Sequence, residues 1–181
     1  MYMNSGINSN ETKMRKRYFR MVRDIPYYIA VGDEQDYCCA TKPLMLDKLL
    51  STLGLKSRHI LCTFRWSKLG LPPEVLAIPH DDEDTHEFLE VQIPETGAWV
   101  RVDPNWDSRI RNLNLPISEW DGIHDTPVAV PAEKIYTAEE SEKLIAEEEA
   151  ADAAVRKEYL ERNKDFFIAI NKWIDSQRVV T

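Results

Sequence analysis

Cys39, His86 and Asp103 have the types and the order of a nucleophilic triad. Cys39 stands fifteen residues before Gly54 and nineteen before Arg58, and Asp103 follows His86 by seventeen, at the end of Trp99-Val100-Arg101-Val102-Asp103. A thiol at a helix start, an imidazole opening a strand and a carboxylate closing the next strand are the three parts such chemistry needs. His86 would take the Cys39 proton and later deliver it to the leaving group, while Asp103 fixes the tautomer and orientation of the imidazole. An ordinary thiol is mostly protonated at neutral pH, so a nucleophilic cysteine needs a helix N-terminus or a neighbouring imidazolium; the pattern supplies both to Cys39. Backbone N–H groups at the helix start, together with Gln35, are the candidate oxyanion donors.

Taken singly, each residue has a plain structural reading. Cysteine is readily buried, a His at a strand start is commonly a surface residue, and Asp103-Pro104-Asn105 reads as a turn. The joint spacing moves the reading to catalysis. Cys62, inside an apolar strand, reads as core. Cys38 competes with Cys39 and is separated from it by helix phase and spacing.

These residues need elements to hold them. Residues 11–23 place Met14, Tyr18, Met21 and Val22 at helical spacing after a floppy start. Tyr27 to Val31 suits a short extended segment ending at Gly32, and an acidic loop then leads to the cysteines. Leu46, Leu49, Leu50 and Leu53 repeat at three and four, and Gly54 closes that pattern as a C-terminal cap. Pro43 is tolerated only in a first turn, so the helix begins near Cys39 to Lys42. Seven residues back from Leu46 lies Cys39, which puts its thiol on the buried side.

Strands are expected over 58–66, 86–93 and 98–103, the last two joined by Pro94-Glu95-Thr96-Gly97. Closing that hairpin sets Ile93 opposite Ala98, Glu90 opposite Arg101 and Phe88 opposite Asp103. His86 and Asp103 then share one face as diagonal neighbours, and Leu89, Val91, Ile93, Val100 and Val102 share the other. The acidic run His80-Asp81-Asp82-Glu83-Asp84 lacks the spaced ligands and central glycine of a calcium loop. It reads as a solvated loop before the His86 strand, with a charge that influences which substrates approach. Residues 104–136, with four prolines and Trp106 and Trp120, read as an irregular wrap over the sheet. Thr137-Ala138-Glu139-Glu140 is a capping-box pattern opening a long helix to about Gln177. Its second half is amphipathic through Leu160, Phe167, Ile170 and Ile174, and 139–154 is expected to project.

Composition bounds the function. A chain of 181 residues fits one domain, with 1–136 as the core and 137–181 as its helical extension. A hydrophobic fraction of 43% and a charged fraction of 30% are those of a soluble globular protein. The net charge of -8 argues against nucleic acid as a partner, and Lys13 to Arg23 reads as one face of a helix. No apolar run has the length of a membrane span, and Met1 to Thr12 lacks the apolar core of a signal peptide. Three cysteines and four scattered histidines give neither a disulfide scaffold nor a structural zinc site, so no metal or cofactor is expected. A cytoplasmic location is expected.

The stretch from Cys39 to Arg58, with paired leucines, Leu53-Gly54 and then an Arg, resembles the cysteine helix of the transglutaminase-like superfamily. His86-Glu87-Phe88-Leu89-Glu90-Val91 and Trp99 to Asp103 resemble its His and Asp motifs, and Arg23-Asp24-Ile25-Pro26-Tyr27 resembles the approach to that core. The three motifs span residues 38–107. Asp36-Tyr37-Cys38 stands where the family commonly has a glycine, and Leu55-Lys56 replaces its usual Ile-Pro. The resemblance implies Cys39 as nucleophile, His86 as base and Asp103 as its orienter. It also implies a papain-like α+β fold with the cysteine helix packed on an antiparallel sheet. The superfamily holds protein crosslinkers, proteases, deglycosylating amidases and inactive members, so acyl transfer is implied and the acceptor is open. Hydrolysis of a peptide, protein or amide substrate is the expected activity. The alternatives are a protein-glutamine acyltransferase and a catalytically silent module that binds a partner through the charged C-terminal helix or the groove beside Cys39.

Overall fold

A computed structural model describing residues 9–110 and 115–178 turns the apolar periods of the sequence into an α+β fold. Its antiparallel sheet has the order β3-β2-β1-β4, with β1 at Ser57–Arg65, β2 at Glu83–Gln92, β3 at Trp99–Val102 and β4 at Lys134–Ile135. Five helices are present among the described residues: α1 (Ser9–Arg23), α2 (Thr41–Ser51), α3 (Pro73–Leu76), α4 (Ala138–Ala150) and the long C-terminal α5 (Ala153–Ser176). The start expected to be floppy lies largely outside the described residues. Among the described residues, no helix is long and apolar enough to cross a membrane.

The β2–β3 hairpin has the register its turn residues dictate. Glu90 pairs with Arg101 and Gln92 with Trp99. Ile93 N–H donates to Ala98 O at 2.8 Å, and Gly97 takes the left-handed φ of 72° that a side chain would resist. Alternation along β2 then sorts its side chains into two layers. Leu89, Val91 and Ile93 join Val100 and Val102 against Phe19 and Val22 of α1 and Leu46 and Leu50 of α2. Phe88, on the opposite face with Ile60, Cys62 and Phe64 of β1, packs against Phe166, Phe167, Ile170 and Ile174 of α5. His86 belongs to that second face, directly across from Cys62.

The cysteine helix ends as its glycine predicts. Leu55 N–H reaches back to Leu50 O at 3.3 Å and Gly54 N–H to Ser51 O at 2.9 Å, with Gly54 at φ 74°. This is a Schellman turn, and Leu50 and Leu55 both lie in the apolar layer beneath it.

Three expectations need correction. The acidic run is loop only over residues 80–82: β2 starts at Glu83, which pairs with Arg65, and Asp84 pairs with Phe64. Residues 139–154 do not project, because α4 lies along β1 and the buried Ser141 Oγ accepts from Leu61 N–H at 3.0 Å. The long helix is also broken, since Ala151 is extended and Asp152 caps a new start by accepting from Ala154 N–H at 2.9 Å. The Thr137–Glu140 capping box is present as read.

Ser141→Ala removes the acceptor of a buried strand N–H. It is expected to cost about 1–2 kcal/mol in urea unfolding, and an unchanged midpoint would mean that water replaces the hydroxyl.

Candidate active site

The segment that carries the cysteines is built around Asp36. Its Oδ2 accepts from the Cys38 N–H at 3.2 Å, the Thr41 hydroxyl at 3.1 Å and the Cys38 thiol at 2.9 Å, while Oδ1 accepts from Ala30 N–H at 3.0 Å. Cys38 O in turn accepts from Lys42 N–H at 3.0 Å, which starts α2 just beyond the thiols. Fixed by Asp36, Cys38 packs against the α5-side core. The adjoining Cys39 thiol, burial and the Asp36 carboxylate push the Cys38 thiol well up. Burial pushes Cys62 up to about 12. Cys39 is half-buried and lines two cavities.

His86 is 1% exposed, and its Nε2 lies 2.7 Å from Asp103 Oδ2. Asp103 follows the end of β3, opposite Phe88, so the diagonal approach expected from the hairpin is realised. Asp103 is held from three further directions. Ala129 N–H donates to Oδ2 at 2.7 Å, Asn105 N–H donates to Oδ1 at 3.1 Å, and its own N–H is taken by Thr126 Oγ1 at 2.8 Å. The irregular wrap therefore supplies part of the clamp. With Nε2 facing a carboxylate, the imidazole proton belongs on Nε2 and Nδ1 carries the lone pair.

The cysteine and the imidazole line one cavity without a hydrogen bond between them. Cys39 Sγ lies 4.0 Å from the carbonyl of Thr85, the residue before His86. Gln35 is exposed, its Nε2 donates to Asp36 O at 3.1 Å, and it lines neither cavity.

One cavity, of about 490 Å³, lies under the wrap and α5 and is walled by Tyr27, Phe64, Trp66, Trp106 and Phe167, with Asp84 among them. The other, of about 1000 Å³, runs between α4 and the sheet, where Leu44, Leu61 and Ile145 meet Glu87 and Glu142. Cys39 stands where the two meet, and Glu148 and Arg156 from the α4–α5 corner line both. Among the described residues no group of His, Cys, Asp and Glu is placed to hold a metal ion.

Sequence reasoning passed over Lys42, Asp84 and the Asp36 clamp. Lys42 is 0% exposed, and its Nζ donates to Arg23 O at 3.0 Å and Asn105 O at 2.7 Å. Burial pulls its ammonium down from 10.5 to about 7. Its position, four residues before Leu46 on the buried face of α2, was the available signal. Comparisons with protein-family models, with curated proteins and with solved structures each find no match.

Proposed function

We propose that this chain is a cysteine-dependent acyl-transfer enzyme of the transglutaminase-like type, which hydrolyses a peptide or amide bond through Cys39, His86 and Asp103. The observation that carries this reading is the 2.7 Å contact between His86 Nε2 and the buried Asp103 carboxylate, beside a cavity that the Cys39 thiol also lines. The Cys39 proton passes to His86 Nδ1 as Sγ attacks the carbonyl carbon. The C–N bond then breaks, and the amine leaves with the proton from His86. Water attacks the resulting thioester and gives a proton to His86. The C–S bond breaks, the carboxylic acid leaves, and Cys39 recovers its proton. The α2 N-terminus, two residues beyond Cys39, favours negative charge on the sulfur.

Iodoacetamide tests the thiol directly. At pH 7 alkylation mapped by peptide mass spectrometry is expected on Cys39 ahead of Cys38 and Cys62, whose thiols are pushed up. His86→Ala should slow the Cys39 reaction by about tenfold or more. Equal rates in the two proteins, or preferred labelling of Cys38, would overturn the assignment.

A further inference from the structure

Asp84 stands two residues before His86 on the same face of β2. Its Oδ2 accepts from Trp66 Nε1 at 3.1 Å and from the Tyr159 hydroxyl at 2.9 Å, and its Oδ1 from Thr85 N–H at 2.8 Å. All three donors are neutral, and among the described residues no Lys, Arg or His is within ion-pair range of this carboxylate. Burial consequently pushes the Asp84 carboxyl above its ordinary range.

The cavity around it is lined by aromatic rings and carries an excess of negative charge. Asp36, Asp84 and Glu148 line it against one guanidinium, that of Arg156, whose Nη2 is turned to the carbonyls of Glu148 at 2.8 Å and Glu149 at 2.6 Å. Aromatic faces attract a cation that is held over them. An apolar occupant would strip water from Asp84 and leave its charge unpaired, which is costly, whereas an ammonium or guanidinium would complete it. Asp84 stands about 7 Å along β2 from His86, and the Cys39 thiol lies 4.0 Å from the carbonyl of the intervening Thr85, so a Lys or Arg side chain on a backbone held at the thiol has Asp84 in its neighbourhood.

We propose that this cavity takes the basic side chain of a peptide substrate, beside the bond attacked at Cys39, with Asp84 as its counter-ion. The proposal rests on the reading of Cys39, His86 and Asp103 as an acyl-transfer site. Asp84 acts as a specificity residue and takes no part in the chemistry.

Binding to the Cys39→Ala protein tests this without turnover, and Trp66 and Trp106 in the cavity wall supply the fluorescence signal. Nα-acetyl-lysine amide and Nα-acetyl-arginine amide are expected to bind about tenfold or more tightly than the uncharged norleucine counterpart. Asp84→Asn should bring the three to within about twofold of one another. Equal or tighter binding of norleucine, or an undiminished preference in Asp84→Asn, overturns the proposal. The lysine-against-norleucine comparison needs no change at position 84, so it decides the matter even where Asp84→Asn fails to fold. Cation-selective binding in a protein whose wild type never turns over would refute the catalytic reading and leave the cavity assignment standing.

Discussion

Cys39→Ala is expected to lose amide hydrolysis by about 10⁵-fold or more, because removing the nucleophile from a catalytic unit forfeits nearly all that the unit supplies. Cys38→Ala is expected to stay within about an order of magnitude of wild type, since its sulfur is not the attacking group. The contrast between neighbouring residues is steep because their environments differ. Cys38 Sγ donates to Asp36, packs on the α5-side core and is pushed well up, all of which hold it as a thiol. Cys39 opens to both cavities next to the Thr85 carbonyl, one residue from the imidazole that Asp103 orients. Fluorogenic peptide amides with Lys or Arg before the scissile bond are the substrates to use, with thermal melting as the control for folding. Loss of activity in Cys38→Ala alone would move the nucleophile by one residue. Wild-type activity in both variants would exclude either thiol as the nucleophile.

What the sequence disclosed is local. The hairpin register follows from Pro94 to Gly97 and from two-residue alternation, and that register alone brings Asp103 to the His86 face. The Schellman end of α2 and the Thr137–Glu140 capping box depend on residues within one or two turns of each other. The features that were not legible depend on distant partners. Glu83 and Asp84 are polar enough to read as loop, and they are drawn into β2 by pairing with β1. Asp84 is also held by Trp66 and by Tyr159, seventy-five residues away. Ser141 sits in a glutamate-rich stretch whose docking on β1 depends on one hydroxyl meeting the Leu61 N–H. The α4–α5 break contains neither Pro nor Gly, and Asp152 as a new cap is a weak signal in a run of helix formers. The approach of Asp103 to His86 was therefore readable, while the groups that hold that pair and the cysteine segment in place required the fold.

Lys42→Met is expected to change the pH dependence of stability by an amount on the order of 4 kcal/mol between pH 6 and pH 10. The site offers two carbonyl acceptors, Arg23 O and Asn105 O. A neutral amine has two N–H groups to match them, while an ammonium adds a third hydrogen and a charge at a fully buried position. Desolvation accordingly lowers the folded-state pKa from 10.5 to about 7, against the opposing pull of Asp107. The unfolded chain therefore binds more protons than the fold between about pH 7 and 10.5, so stability rises with pH through that window and falls again on acidification. A methionine side chain carries no titrating proton, so the rise is lost in the variant. Other groups titrate in the same range, and subtracting the two urea-unfolding series isolates position 42. Relative to wild type the variant should lose ground steadily from pH 7 upward, with its smallest deficit, or a gain, at pH 6. Parallel curves would mean that Lys42 stays charged in the fold with Asp107 as counter-charge. Lys42 also joins the first turn of α2 to Asn105, two residues beyond Asp103, so the position under test ties the segment after Cys39 to the carboxylate loop.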